Sequence, residues 1–235
     1  APALPLSLVS GLFGHALPQI MVFMVTQRLP IGVVGLIIAM NPLMTALVGG
    51  LTGLAPVTRR QMAGIALGFV GIALVSLPGT GPLAPGATAW LLAGLVVPLC
   101  FAIANVFSAK LRAAGSDPVV NGAGMMGVSA SFLLLACLIS GQFWSPADDL
   151  TGLGPVVVGI HMVNGGLAFF LFFVVLALGG PIMVASASYL ILLFATLWGW
   201  LFFDETPGLM FVIAAGLVVA GLALVLGRSG PRSRP

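Results

Sequence analysis

Residues 31–54 read IGVVGLIIAMNPLMTALVGGLTGL, with no charged side chain anywhere in the run. About 20 apolar residues at ~1.5 Å each cover the ~30 Å of bilayer hydrocarbon. Lipid offers no hydrogen-bond partner, so such a run satisfies its backbone only as a helix. Asn41 and Pro42 stand at its centre, where a proline interrupts the hydrogen-bond ladder. The whole chain repeats this character. Of its 235 residues, 60% are hydrophobic and 6% charged, and the mean hydropathy is +1.23. A soluble domain is about 25% charged, so a soluble enzyme, a nucleic-acid binder and a secreted disulfide scaffold are all excluded.

Working outward, eight runs have spanning length: 6–27, 31–54, 61–79, 87–107, 119–141, 153–178, 181–203 and 207–227. They lack the alternation of barrel strands. The fold class is therefore all-α, a polytopic membrane bundle of eight transmembrane helices. The first run has no basic flank and carries His15, Pro18 and Gln19, so it is not a signal peptide. Glycine (32) and proline (17) are abundant inside these runs, as close helix packing and kinked spans require.

Alternate loops share a side of the membrane. Arg59, Arg60, Lys110, Arg112, Arg228, Arg232 and Arg234 fall on one side with Asp117; Arg28 shares the other with Asp148, Asp149, Asp204 and Glu205. Positive charge marks the cytoplasmic side. Both termini are thus expected in the cytoplasm, and Trp90, Trp144, Trp198 and Trp200 near the outer interface. The expected location is a bacterial inner (plasma) membrane. Cys100 and Cys137 lie at depths of ~20 and ~6 Å, too far apart for a bridge. Both read as free thiols.

Overlaying 31–75 on 181–225, a shift of 150 residues, matches Leu43 with Leu193, Gly49 with Gly199, Leu51 with Leu201 and Gly71 with Gly221. The two segments run in opposite directions, the inverted-repeat plan of secondary transporters. Asn41–Pro42 through Thr58-Arg59-Arg60-Gln61, Gly64 and Gly71, and again Tyr189-Leu190 through Asp204-Glu205, Ala214 and Gly221, resemble the EamA domain of the drug/metabolite transporter superfamily. Ala55 stands at the glutamate position of the first half, and Leu192 at the proline position of the second. The resemblance implies two inverted five-helix halves. It implies a partial first repeat of three helices at 1–80 and a complete second repeat of five at 87–235. Two helices are then expected before Ala1, which fits a chain that starts without methionine.

The resemblance implies a secondary transporter or exporter of small polar metabolites, amino-acid-like or otherwise neutral or zwitterionic, working by alternating access. The alternatives are a proton-coupled drug exporter acting through His15 or His161, and a membrane assembly subunit without transport. All five acidic residues lie in loops or at helix ends, which argues against an intramembrane carboxylate relay. An HExxH motif, a Gly-x-Ser-x-Gly elbow and a Walker loop are absent from the sequence, and no metal or cofactor is expected. The expected partners are a small-molecule substrate and the lipid bilayer, with no nucleic acid, and a homodimer is compatible with the chain.

Uncharged polarity within the spans marks the candidate substrate-binding residues: His15, Gln19, Asn41, His161, Asn164 and Tyr189. They come from four spans yet fall within about two turns of the bilayer centre. The plainer reading of each is a tie between helices. Asn105 reads as interfacial, and Ser186 and Ser188 as bonded to their own helix. Gly64/Gly68/Gly71 and Gly216/Ala220 read as packing faces. Glu205 is expected to cap the 207–227 helix.

Overall fold

The computed structural model describes residues 3–54, 57–76, 86–111, 117–141 and 152–227. Every regular element among them is helical. The first span is α1 (Ala3–Gly11), a π turn (Leu12–Ala16) and α2 (Leu17–Thr26); the second is α3 (Ile31–Ala39) and α4 (Asn41–Leu51). Then come α5 (Arg59–Ser76), α6 (Ala87–Gly94) with α7 (Val96–Leu111), α8 (Pro118–Ser140), α9 (Gly154–Phe203) and α10 (Leu209–Leu226). This is a polytopic helical bundle. Its surface fits lipid: Ile139 is 78% exposed and Val163 73%, which water would penalise.

Local chemistry sets the helix ends. Thr58 N–H donates to Gln61 Oε1 (2.9 Å) and Gln61 N–H to Thr58 Oγ1 (3.3 Å), a capping box that starts α5. Asp117 accepts the Val119 N–H at 2.8 Å to start α8, and Gly141 ends it at φ +66.

The sixth and seventh expected spans do not separate. α9 runs unbroken for 50 residues through Gly179-Gly180-Pro181. Proline removes one ladder bond there, while the rest of the junction stays satisfied within the helix, as a nonpolar solvent demands.

The tightest seam joins α5 to α10, the helices that the 150-residue shift exchanges. A Cβ at Gly64 would fall 2.6 Å from Gly221 O, and one at Gly71 2.8 Å from Ala214 O. The shift carries Gly64 onto Ala214 and Gly71 onto Gly221, so each contact is the mirror of the other. That is the signature of a pseudo-two-fold axis between antiparallel repeats. The expected Gly216/Ala220 face is corrected by the same seam: both residues are exposed, and Gly216 has open space beside it. Rotation about α10 aims Ala214, Val218 and Gly221 inward instead, all buried.

A second correction concerns Glu205, which does not cap the following helix. Its carboxylate accepts the Ile31 N–H at 2.7 Å and the Gly32 N–H at 3.1 Å, capping α3. Those first-turn donors have no intrahelical partner, and the Pro30 before them has no capping oxygen. At the same end of the bundle Arg28 stacks over Trp90 at 5.6 Å. Arg60 reaches Ala223 O at the opposite end. Cys100 and Cys137 are both free thiols.

Candidate functional site

Three spans are interrupted just before a proline. In the first, Pro18 cannot donate to the carbonyl four residues back. The chain responds with the π turn, in which the Leu17 N–H reaches back five residues to Leu12 O. π turns of this kind gather at functional positions. In the second, Pro42 ends the ladder and Met40 becomes a turn between α3 and α4. In the third, Leu95 separates α6 from α7, three residues before Pro98.

Each of the first two interruptions carries a polar group to a neighbour. His15, within the π turn, places Nδ1 2.8 Å from Ser129 Oγ on α8. Ser129 is 2% exposed, so the imidazole satisfies a hydroxyl that lipid could not. Asn41, at the start of α4, accepts through Oδ1 from Asn105 Nδ2 on α7 at 3.2 Å. Thr45, one turn on, donates to Asn41 O at 2.8 Å and accepts from the same Asn105 amide at 3.2 Å. Asn105 therefore ties the second span to the fourth rather than sitting alone at the interface. Its helix neighbour Ser108 buries Oγ with no hydrogen-bond partner among the described residues. The two clusters adjoin through backbone packing, since a Cβ at Gly14 would lie 3.3 Å from the Ala104 Cβ.

The remaining expected residues are placed differently. Gln19 is half-buried on the turn after His15. Asn164 is exposed on the face of α9 that also carries Gly159, Ile160 and Val163. His161 is exposed on the same helix, its ring centroid 6.4 Å from that of Phe23. The Tyr189, Ser186 and Ser188 side chains lie outside the described residues, as do Ala55, Arg112, Trp144, Asp148, Asp149, Arg228, Arg232 and Arg234. No group of three His, Cys, Asp or Glu among the described residues could hold a metal ion.

Thr45, Asn105 and Ser129 join the set that sequence reasoning assembled. The i, i+4 spacing of Asn41 and Thr45 was a visible signal. Nothing local marks Ser129, one of three serines in its span.

Comparison with known proteins converges on one family. The EamA-like transporter family matches residues 2–77 and 88–227. Protein PecM of Dickeya dadantii (strain 3937) is 27% identical over 214 residues, covering 87% of this chain and 70% of PecM. A solved crystal structure, 21% identical, superposes with a TM-score of 0.56 over 93% of this chain and 74% of its own; it shares the fold.

Proposed function

The chain belongs to the EamA-like transporter family, and from that premise we propose that it is a secondary carrier moving a small neutral or zwitterionic polar solute by alternating access. One observation carries the reading. The side chains gathered at the helix interruptions are His15, Ser129, Asn41, Thr45 and Asn105, with no Asp, Glu, Lys or Arg among them. Such a lining offers hydrogen bonds to a polar solute but leaves a net ion uncompensated in low dielectric. The solute sits between the repeats against His15, Gln19, Asn41, His161, Asn164 and Tyr189, with Thr45 and Asn105 orienting Asn41. The protein resides in a bacterial inner membrane with both termini cytoplasmic. A reporter fused after Pro235 is expected to read as cytoplasmic, and a cysteine at Asp148 to react with an impermeant reagent from outside. Reversed accessibilities would overturn the sidedness.

The test is counterflow of labelled neutral amino acids into proteoliposomes, with an organic cation as competitor. Neutral solutes should exchange and the cation should not compete. Asn41→Leu should raise the half-saturation concentration about fivefold, the value of one neutral hydrogen bond near 1 kcal/mol, at unchanged membrane abundance. Reduced abundance with normal exchange per molecule would make Asn41 a packing tie. Absence of any counterflow would favour an assembly subunit. The presence of two histidines within the spans, His15 and His161, supports a second reading, proton-coupled drug export. It predicts cation-competed uptake that needs a pH gradient and is lost in both His→Gln variants.

A further inference from the structure

Glu205 joins the two repeats at one end of the bundle. α9 stops at Phe203, and Asp204 takes a left-handed conformation, φ +53, the one non-glycine residue to do so among those described. Such a conformation is costly without side-chain or tertiary support. Here it turns the chain so that the Glu205 N–H donates back to Gly199 O at 3.1 Å. The carboxylate is thereby aimed across the α9 terminus at the first two N–H groups of α3. Gly199 makes room: a Cβ there would fall 2.5 Å from Glu205 Oε2, and it also lies close to Gly32 N. Deeper in the seam, Gly35 packs against Ala195 and Gly32 against Thr196.

The positions that the 150-residue shift relates to this contact lack its side-chain acceptor and its first donor. The 150-residue shift carries Glu205 onto Ala55, and Ile31 and Gly32 onto Pro181 and Ile182. Alanine brings no acceptor, and proline has no N–H. Position 181 also lies inside α9 rather than at a helix start, so the donors that a carboxylate would cap do not arise there. The exchange would pair α4 with the 181–189 stretch as α3 pairs with the end of α9. Among the described residues α9 packs closely along α3.

We propose that Glu205 is a one-ended latch: it holds the α3–α9 end of the bundle shut, while the opposite end, without acceptor or donor, rests open. This rests on the alternating-access reading above and adds a direction to it. The open end is that of Arg59 and Arg60, the cytoplasmic side by charge. A carrier resting open to the cytoplasm loads there first, as export requires. The solute then shifts the equilibrium by binding the other state better.

The test is pulsed electron paramagnetic resonance on the full chain in lipid nanodiscs without solute, with Cys100 and Cys137 replaced by serine. Spin labels at Gln27 and Leu209 report the latched end, and labels at Leu51 and Ala187 the other. Glu205→Gln should lower the closed-to-open ratio at the Gln27–Leu209 end about tenfold, the value of a charge-assisted bond. Ile31→Pro removes one donor yet suits the first helical position, and should lower it about fivefold. Ala55→Glu alone should leave both distances unchanged, because Pro181 has no N–H and that of Ile182 lies within the ladder of α9. Unchanged Gln27–Leu209 distances in Glu205→Gln and Ile31→Pro would make Glu205 a permanent staple and end the proposal; if Glu205→Gln does not fold, Ile31→Pro decides. The distances need no solute, so a latch that releases without any counterflow refutes the carrier reading alone. Counterflow with fixed distances refutes the latch alone.

Discussion

Gly221→Leu is expected to remove most of the folded protein from the membrane fraction, while Gly216→Leu, five residues earlier on the same helix, leaves it intact. Both glycines sit in α10. A Cβ at Gly221 would stand 2.5 Å from Gly64 O and 3.3 Å from Gly68 N, whereas Gly216 has nothing within 4 Å. The obstacle at Gly221 is backbone, which cannot rotate aside, so the leucine must drive α5 and α10 apart. That separation uncovers Ala214, Val218 and Leu222, each fully buried. Overpacking alone costs about 1–3 kcal/mol, and the lost contacts of the seam add to it. The sum is comparable with a total stability of ~5–15 kcal/mol. Quantifying folded protein by detergent gel filtration and thermal unfolding checks the pair. Equal loss in both variants would mean that leucine is disfavoured in α10 for reasons unrelated to the seam.

Gly11→Leu should act on the other side of the bundle, detaching α8 from the first span. A Cβ at Gly11 would lie 2.7 Å from Met125 O and 2.8 Å from Val128 Cβ. Gly124 meets Ser7 in the same seam. Pushing α8 away breaks the 2.8 Å contact between His15 and Ser129 and leaves a buried hydroxyl in lipid, about 1–3 kcal/mol by itself. A thermal transition lowered well beyond that of Ser129→Ala is the expected result. Ser129→Ala removes the hydroxyl without moving the helix, so it isolates the hydrogen bond. If the two variants fall equally, the seam contributes little and the polar contact carries α8.

How much of this was legible beforehand differs from element to element. The π turn and the break at Met40 were foreshadowed by Pro18 and Pro42, because a missing N–H is a local fact. The Thr58-Arg59-Arg60-Gln61 start of α5 was equally local, since its donors and acceptors lie within four residues. Asn41 was visible as misplaced polarity, but its partner Asn105 lies 64 residues away. Glu205 was assigned to the nearest helix start when its donors lie 174 and 173 residues away. The small-residue rows were legible as packing faces in α5, where Gly64, Gly68 and Gly71 all meet neighbours. In α10 the same reasoning chose the wrong side.

The sequence by itself determined that this protein lies in a membrane as a bundle of helices, with breaks where Pro18 and Pro42 remove a donor. Twenty uncharged residues in lipid have one way to satisfy their backbone, and that requirement is met inside each helix. Only the tertiary structure decided which faces meet: Gly221 rather than Gly216, α3 rather than α10 beneath Glu205, Ser129 beside His15. Lipid is as apolar as leucine, so a transmembrane helix carries no clear periodic mark of its buried side. Its rotation is set by close fit and by a few polar contacts, and those exist only once the helices have come together.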